Sequence, residues 1–142
     1  MITQAQIALV QQSWAEVEPI ADTAADLFYE RLFEVAPQVR PLFKDDMSTQ
    51  KKALMGMLAT AVRGLPRIET ILPAVQALGR RHVEYGAIPA HYDAVGACLL
   101  DTLAKGLGDG FTDEVREAWT IAYGTLATVM IEAGAGEAER AA

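Results

Sequence analysis

The sequence is poor in cysteine and in positive charge. It has one cysteine in 142 residues, so no disulfide can form within the chain. Only 12 Lys and Arg residues stand against 19 Asp and Glu, which gives a net charge of -7. Nucleic acids and anionic membranes attract basic surfaces and repel acidic ones. We therefore expect neither a nucleic acid nor a membrane as a partner.

Long hydrophobic runs and a secretory signal are missing as well. The longest apolar runs are far too short to cross a bilayer. The first residues, MITQAQIALVQQSW, lack the positively charged start and apolar run of a signal peptide. We therefore expect a cytoplasmic protein. The length and the 51% of apolar residues correspond to one domain over residues 1–142.

Apolar residues instead recur at helical spacing along nearly the whole chain, and no segment alternates long enough to indicate a strand. The sequence therefore predicts an all-α fold. Thr3 with Gln6 forms a capping-box pair at the first start. We expect helices from Thr3 to Pro19, from Ile20 to Ala36, from Ser48 to Gly64, from Arg67 to Tyr85, from Pro89 to the loop KGLGDGF, and from Asp113 onward, with residues 135–142 as a frayed tail.

Three polar residues fall on helix faces that the periodicity turns inward: Tyr29 in the second helix, Gln50 at the start of the third and His82 near the end of the fourth. Each has a purely structural explanation when taken alone. A buried tyrosine usually donates to a backbone carbonyl, a glutamine near a helix start is often partly exposed, and histidine is favoured in last turns. Together they describe an apolar cavity with one imidazole and two hydrogen-bond donors.

A single imidazole limits the metal chemistry of such a cavity. Structural zinc takes four protein ligands and catalytic zinc three, and the sequence offers neither a cysteine pair nor a second inward histidine. Iron that is already held by four porphyrin nitrogens needs only one axial imidazole. The residues therefore favour haem, with His82 as the iron ligand.

Four segments carry a family resemblance: LFYERLFEVAPQVRPLF, LGRRHVEYG, HYDAVGACLLDTL and FTDEVREAWTIAYG. In this order and at these separations they resemble a single-domain globin of the bacterial haemoglobin and flavohaemoglobin group, with similarity to neuroglobin. The resemblance covers Thr3 to about Met130. It implies a globin fold of six to eight helices packed around one haem b.

The resemblance also implies roles for individual residues. His82 matches the proximal iron ligand, Tyr29 and Gln50 match the distal pair, Phe43 matches a phenylalanine against the haem face, and Leu54 matches the apolar residue one turn beyond the glutamine. The inward faces of the fourth and fifth helices add three further cofactor contacts: Leu78, Tyr92 and Val95.

The function that the resemblance implies is tight, reversible binding of O₂, with CO and NO as further ligands. Donors aimed at bound O₂ slow its release, which suits oxygen scavenging or reaction of held O₂ with NO to give nitrate. No flavin or nicotinamide module is recognisable, so we expect a separate reductase to supply electrons. An alternative is a haem-based gas or redox sensor that acts through a partner protein. A second alternative is a haem-free interaction module with a structural His82.

The sequence departs from this family at two positions. Flavohaemoglobins carry a glutamate in the last helix that, with a tyrosine, strengthens the proximal histidine; its aligned position here is Gly134, with Glu132 nearby on another face. Electron push for peroxide chemistry is thus in doubt. The residue three positions after the distal glutamine, often basic in relatives, is Ala53. The remaining candidates for holding a propionate are Lys44, Arg80 and Arg81.

Three other features have simpler explanations. The segment GLGDG resembles a phosphate-binding loop but follows a helix, which indicates an interhelical loop. Cys98 could attach a bilin, but its position in an apolar helix favours core packing. His91 lies off the cavity stripe, and we expect it at the surface or near a haem edge.

Overall fold

The computed structural model describes the backbone of residues 2–141 and the side chains of residues 2–136. Within that range the chain is helical and contains no strand, which confirms the all-α prediction. None of the described helices is long and apolar enough to cross a bilayer. The α-helices are α1 Gln4–Val17, α2 Ala21–Val35, α3 Ser48–Gly64, α4 Leu72–Glu84, α5 Pro89–Leu107 and α6 Asp113–Ala141, with 3-10 helices at Glu18–Ile20, Pro37–Leu42, Leu65–Thr70 and Gly108–Gly110.

The helix starts follow from local side chains. Thr3 Oγ1 accepts the Gln6 backbone N–H at 3.1 Å, and Gln6 Oε1 accepts the Thr3 N–H at 2.9 Å. This is the predicted capping box, which satisfies donors that the first helical turn leaves unpaired. At the start of α6, Thr112 Oγ1 accepts the Val115 N–H at 3.2 Å. Short polar side chains therefore cap the starts of α1 and α6.

The predicted start of the fourth helix at Arg67 is wrong. Arg67 has φ -135° and ψ 62°, which is not helical, and it lies inside the 3-10 segment Leu65–Thr70. The regular helix α4 begins only at Leu72, with Pro73 in its first turn. Proline lacks an N–H and fits an α-helix only in that turn, so Pro73 sets the start of α4.

The ends of α2 and α6 complete the description of the helices. Val35 is 46% exposed at the end of α2, although it is apolar. Helix α6 ends at Ala141, and fraying of residues 135–142 stays a prediction. Ala142 lies outside the described residues.

The core lies where α1 packs on α6 and α2 packs on α5. Trp14 and Trp119 meet at its centre with ring centroids 6.2 Å apart. The Trp119 indole N–H donates to Ser13 Oγ at 2.8 Å, which satisfies a buried donor. Cys98 is 1% exposed, in agreement with core packing. Helix α3 packs on α1 and α2, and α4 packs on α6. The helices α3 and α4 make little contact with each other.

Helix α4 packs on α6 through glycine. A Cβ atom added to Gly79 would lie 2.6 Å from Met130 Cα, and one added to Gly134 would lie 2.8 Å from Val83 Cγ2. Neither position has space for any side chain. The two backbones are therefore in direct contact along this interface, and α4 is held firmly against the core.

Replacing Gly79 with alanine should destabilise the fold by about 1–3 kcal/mol, because the methyl group would meet rigid backbone. Urea unfolding should show a lower midpoint with an unchanged m-value. Gly124→Ala in α6 is the matched control, since a Cβ there meets nothing within 4 Å. That change should stabilise the protein by about 0.5–1 kcal/mol. Equal effects of both substitutions would contradict the proposed backbone contact.

Candidate functional site

The imidazole of His82 has a defined orientation. It lies near the end of α4, and its Nδ1 is 2.8 Å from the Leu78 carbonyl oxygen one turn earlier. A carbonyl oxygen only accepts hydrogen bonds, so Nδ1 must carry the proton. In a neutral ring the Nε2 lone pair is then free, as a metal ligand requires.

The protonation state of His82 favours the same role. Burial lowers the pKa of its imidazole, the hydrogen bond to the Leu78 carbonyl acts in the opposite direction, and the positive charge of Arg81 lowers the pKa further. The ring is therefore neutral at pH 7. Among the described residues, no group of three or more His, Cys, Asp or Glu side chains could hold a metal ion. His82 is thus suited to be a single axial ligand and not part of a larger metal cage.

The other predicted contacts on this side are half-buried. Tyr92 on α5 has its ring centroid 6.0 Å from that of His82, with an interplanar angle of 34°. Burial raises the pKa of the Tyr92 phenol. Leu78 and Val95 are also half-buried, although both lie on inward helix stripes. In the described part of the chain, no hydrogen bond joins the Tyr92 hydroxyl to His82.

Tyr29 and Gln50 are brought together by a hydrogen bond. The Gln50 amide donates from Nε2 to the Tyr29 hydroxyl oxygen over 2.9 Å. Tyr29 is 4% exposed, whereas Gln50 is exposed at the start of α3. Burial raises the pKa of the Tyr29 phenol and the bond from Gln50 lowers it in part, so the hydroxyl stays protonated at neutral pH. Because its oxygen accepts from Gln50, its proton is free for another acceptor.

Phe43 belongs to the same part of the molecule. Its ring lies edge-on to Tyr29 with centroids 5.7 Å apart and to Phe33 at 5.5 Å. Phe28 also lies edge-on to Tyr29, with ring centroids 4.9 Å apart. Edge-to-face contacts of this kind fix ring orientation and exclude water. The Tyr29 ring, and its hydroxyl with it, is therefore held by aromatic side chains from α2 and from the turn before α3.

Helix α3 carries Gln50 and Leu54, and helix α4 carries Leu78 and His82. They make little contact with each other, and Leu54 on α3 and Leu78 on α4 are both left half-buried on inward stripes. Apolar side chains on such stripes are normally covered by protein. Leu54 and Leu78 therefore leave apolar surface that the described residues do not fully cover.

Position 134 explains why the carboxylate of flavohaemoglobins is missing from the His82 side. Gly134 is buried, and even a Cβ there would meet Val83 and lie 3.1 Å from the Gly79 carbonyl oxygen. A glutamate does not fit. Glu132 is exposed, on a different face of α6. His82 Nδ1 is therefore held by a neutral carbonyl and not by a carboxylate.

The three basic residues named from the sequence, and His91, lie in ordinary surroundings. Lys44 and Arg81 are exposed and Arg80 is half-buried. None of the three takes part in an ion pair within the described residues. His91 is half-buried and its Nδ1 accepts the Ile88 N–H at 3.2 Å, so it caps the start of α5. Ala53 is exposed on α3.

Two features near the site were not found from the sequence. Lys51 Nζ lies 2.9 Å from Asp26 Oδ1 and ties the start of α3 to α2 beside Tyr29 and Gln50. Tyr85, one turn after His82, has its ring centroid 5.7 Å from the imidazole. An i, i+3 spacing on α4 was available as a signal for Tyr85. No sequence pattern connects Asp26 with Lys51, which are far apart in the chain.

Solved structures with a similar fold cover almost the whole chain. A bacterial globin from Campylobacter jejuni has a TM-score of 0.86 and 26% identity, and the match covers 96% of this chain and 99% of that one. An engineered carbene transferase, described as a putative nitric oxide dioxygenase from Rhodothermus marinus, has a TM-score of 0.87 at 24% identity, over 96% and 95% of the two chains. The second likeness concerns the fold alone.

Sequence comparison gives the family. The flavohemoprotein of Rhodopirellula baltica is 34% identical over 134 residues, 92% of this chain and 33% of the relative. The flavohemoprotein of Pseudomonas aeruginosa is 34% identical over 137 residues, 94% of this chain and 35% of the relative. The chain thus spans about a third of these relatives. The family model for Globin matches residues 26–130, and the protein belongs to the globin family.

Proposed function

We propose that this globin binds haem b through His82 and holds O₂ tightly beside Tyr29 and Gln50, with CO and NO as further ligands. The observation that carries the proposal is the bond from Gln50 to the Tyr29 hydroxyl. It leaves the buried, protonated Tyr29 O–H with no acceptor among the described residues, next to the rings of Phe28 and Phe43. Such a donor is suited to a small polar ligand.

Family membership implies a haem cofactor, and the residues fit one. His82 offers a free Nε2 on a fixed ring, while Leu54, Leu78 and Val95 present half-buried apolar surface. Phe43 adds aromatic surface beside Tyr29, and Tyr92 adds it beside His82. A porphyrin supplies four of the iron ligands, so one imidazole from the protein is sufficient. These residues would hold the macrocycle.

Haem iron bound to His82 would supply a sixth position for a diatomic gas. Bound O₂ carries partial negative charge, and the Tyr29 proton is available to donate to it. Hydrogen bonds to charged groups contribute about 1.5–3 kcal/mol each. Gln50 acts chiefly through Tyr29, because its amide donates to the phenol oxygen and makes the phenol a better donor. CO is less polar and gains less from the same donor.

Slow release of O₂ suits scavenging, or reaction of the held O₂ with NO to give nitrate. The flavohemoprotein relatives extend well beyond the third that this chain matches. Repeated reaction with NO consumes electrons, so we propose a separate reductase as the donor. We also propose that the protein works in the cytoplasm, where such a reductase would be available.

Tyr29→Phe should raise the O₂ dissociation rate by roughly ten- to hundredfold, since it removes one hydrogen bond worth about 1.5–3 kcal/mol. Stopped-flow displacement of O₂ by CO measures this rate. The CO dissociation rate should change much less. Tyr85→Phe removes the same atom from an exposed ring and serves as the control. An unchanged O₂ rate in Tyr29→Phe would mean that this hydroxyl does not face the gas.

His82→Ala should lose the absorption spectrum of imidazole-ligated haem, because no other described side chain takes the place of Nε2. Titration with hemin followed at the Soret band measures the loss. Imidazole added to the variant should restore the spectrum in part. The control is His91→Ala, which removes the other histidine and should bind hemin normally. Identical spectra for wild type and His82→Ala would refute the assignment.

Mixing the reduced, oxygenated protein with NO tests the reaction directly. We expect one nitrate for each haem consumed, followed by oxidised protein that needs a reductant to react again. Ion chromatography separates nitrate from nitrite. Release of O₂ with NO left bound, and no nitrate, would argue for a ligand-binding role without dioxygenation.

A further inference from the structure

Residues 43–47 form a short loop without helix between the 3-10 helix Pro37–Leu42 and α3. The loop begins at Phe43, whose ring lies edge-on to Tyr29, and Gln50 follows three residues after its end. No backbone N–H in the described part of the chain donates to the carbonyl oxygen of residue 43, 44 or 45. Because backbone carbonyl groups need donors, a side chain or water must supply them.

Arg40 supplies these donors. Its Nη1 donates to the Lys44 carbonyl oxygen at 3.0 Å and to the Phe43 carbonyl oxygen at 3.4 Å. Its Nη2 donates to the Asp45 carbonyl oxygen at 3.3 Å. Arginine is always charged, and its planar fork of N–H groups has a fixed geometry. Three consecutive carbonyl groups are therefore held in a single arrangement by one side chain.

The same guanidinium lies over an aromatic ring. Arg40 Cζ is 5.0 Å from the centroid of the Phe33 ring, a distance at which the face of the ring attracts a cation. Phe33 in turn lies 5.5 Å from Phe43 and 5.9 Å from Tyr29, measured between ring centroids. Arg40 is half-buried. It therefore joins the backbone of the loop to the aromatic side chains around Tyr29.

The far end of the loop is tied to the start of α3. Asp46 Oδ1 accepts the Ser48 N–H at 3.0 Å and the Ser48 hydroxyl at 2.6 Å. Gln50 lies in the first turn of the helix that begins there. A shift of residues 43–45 would therefore reach Phe43 directly, and it would reach Gln50 through the first turn of α3.

We propose that Arg40 is a positioning residue for O₂: by holding residues 43–45 it fixes the direction of the Tyr29 O–H. Phe43 and Gln50 transmit the effect, because both contact Tyr29. The inference rests on the proposed function, in which this O–H donates to bound O₂. Hydrogen bonds weaken steeply as their angle departs from linear. A loosened loop would therefore speed the loss of O₂ without removing the donor itself.

A purely structural role for Arg40 predicts a different result. Loss of its hydrogen bonds would then lower the free energy of unfolding but leave the relative release of O₂ and CO unchanged. CO gains little from the Tyr29 donor, so a misdirected O–H raises the O₂ dissociation rate much more than the CO dissociation rate. The two rates measured together therefore separate the two roles.

The first test is Arg40→Gln in the haem-loaded, full-length protein. The O₂ dissociation rate should rise by about three- to tenfold, less than in Tyr29→Phe, because the donor is misdirected and not lost. The CO rate should stay near that of wild type. The matched control is Arg116→Gln. That guanidinium also lies over a ring, 5.8 Å from the Phe111 centroid, but donates to no carbonyl oxygen among the described residues. An unchanged O₂ rate in Arg40→Gln, equal rises for O₂ and CO, or the same rise in the control would overturn the proposal.

The double variant Arg40→Gln with Tyr29→Phe tests the route of the effect. If Arg40 acts through the Tyr29 hydroxyl, the double variant should release O₂ no faster than Tyr29→Phe alone, because no hydroxyl is left to direct. Fold-changes that multiply would mean that Arg40 acts elsewhere. Should Arg40→Gln not fold, Arg40→Lys takes its place under the same criteria, because it keeps the charge over Phe33 and loses the fork.

Amide hydrogen exchange gives a readout that needs no gas. In Arg40→Gln the peptides that cover residues 43–51 should exchange faster than in wild type, whereas those of α4 and α6 should be unchanged. Unchanged exchange over residues 43–51 would contradict the role of Arg40. If Tyr29→Phe leaves O₂ release unchanged, the proposed function and this proposal fall together. If Tyr29→Phe speeds release and Arg40→Gln does not, only the role of Arg40 falls.

Discussion

The imidazole of His82 is held by a carbonyl of its own helix, 2.8 Å away. Turning the ring would break this bond and leave a partly buried donor unpaired, at a cost of about 1–3 kcal/mol. The bond thereby sets the tautomer, the ring plane and the direction of the free nitrogen. All three depend on α4 being a regular helix through residues 78–82, so the backbone is what positions the candidate iron ligand.

Tyr29 and Gln50 are held by side chains. Gln50 donates to Tyr29, Phe43 and Phe28 flank the same ring, and Lys51 pairs with Asp26 across the α2–α3 interface. An exposed ion pair contributes little stability by itself. Here its effect is geometric, because it keeps the first turn of α3 beside α2. The donor that would face a gas thus relies on several weak contacts that come from different helices.

Much of this arrangement could be predicted from the sequence. Helical periodicity identified six helices, and the step from Leu78 to His82 placed the histidine on an inward face. Both predictions need only the order and spacing of residues along the chain. Apolar spacing alone places the start of α4 too early, whereas Pro73 in the first turn marks the start that the structure has.

Other features depend on contacts between distant segments. The bond between Gln50 and Tyr29 changes the role of the glutamine from an independent donor to a partner of the phenol, and no local pattern indicates it. The same holds for Gly134. In the sequence, Gly134 indicates only that a carboxylate is missing. The structure shows that the adjoining α4 leaves no space for one.

The contact of Gly79 and Gly134 has a mechanical consequence. A side chain at a helix interface absorbs small shifts by changing rotamer, but two touching backbones have no such slack. If a ligand pulls on His82, α4 cannot slide without carrying α6 along, and α6 is anchored to α1 through Trp119 and Ser13. The backbone of α4 that carries His82 is therefore rigid. The Tyr29 side differs, because its exposed partner Gln50 is held by one side-chain hydrogen bond and not by backbone contact.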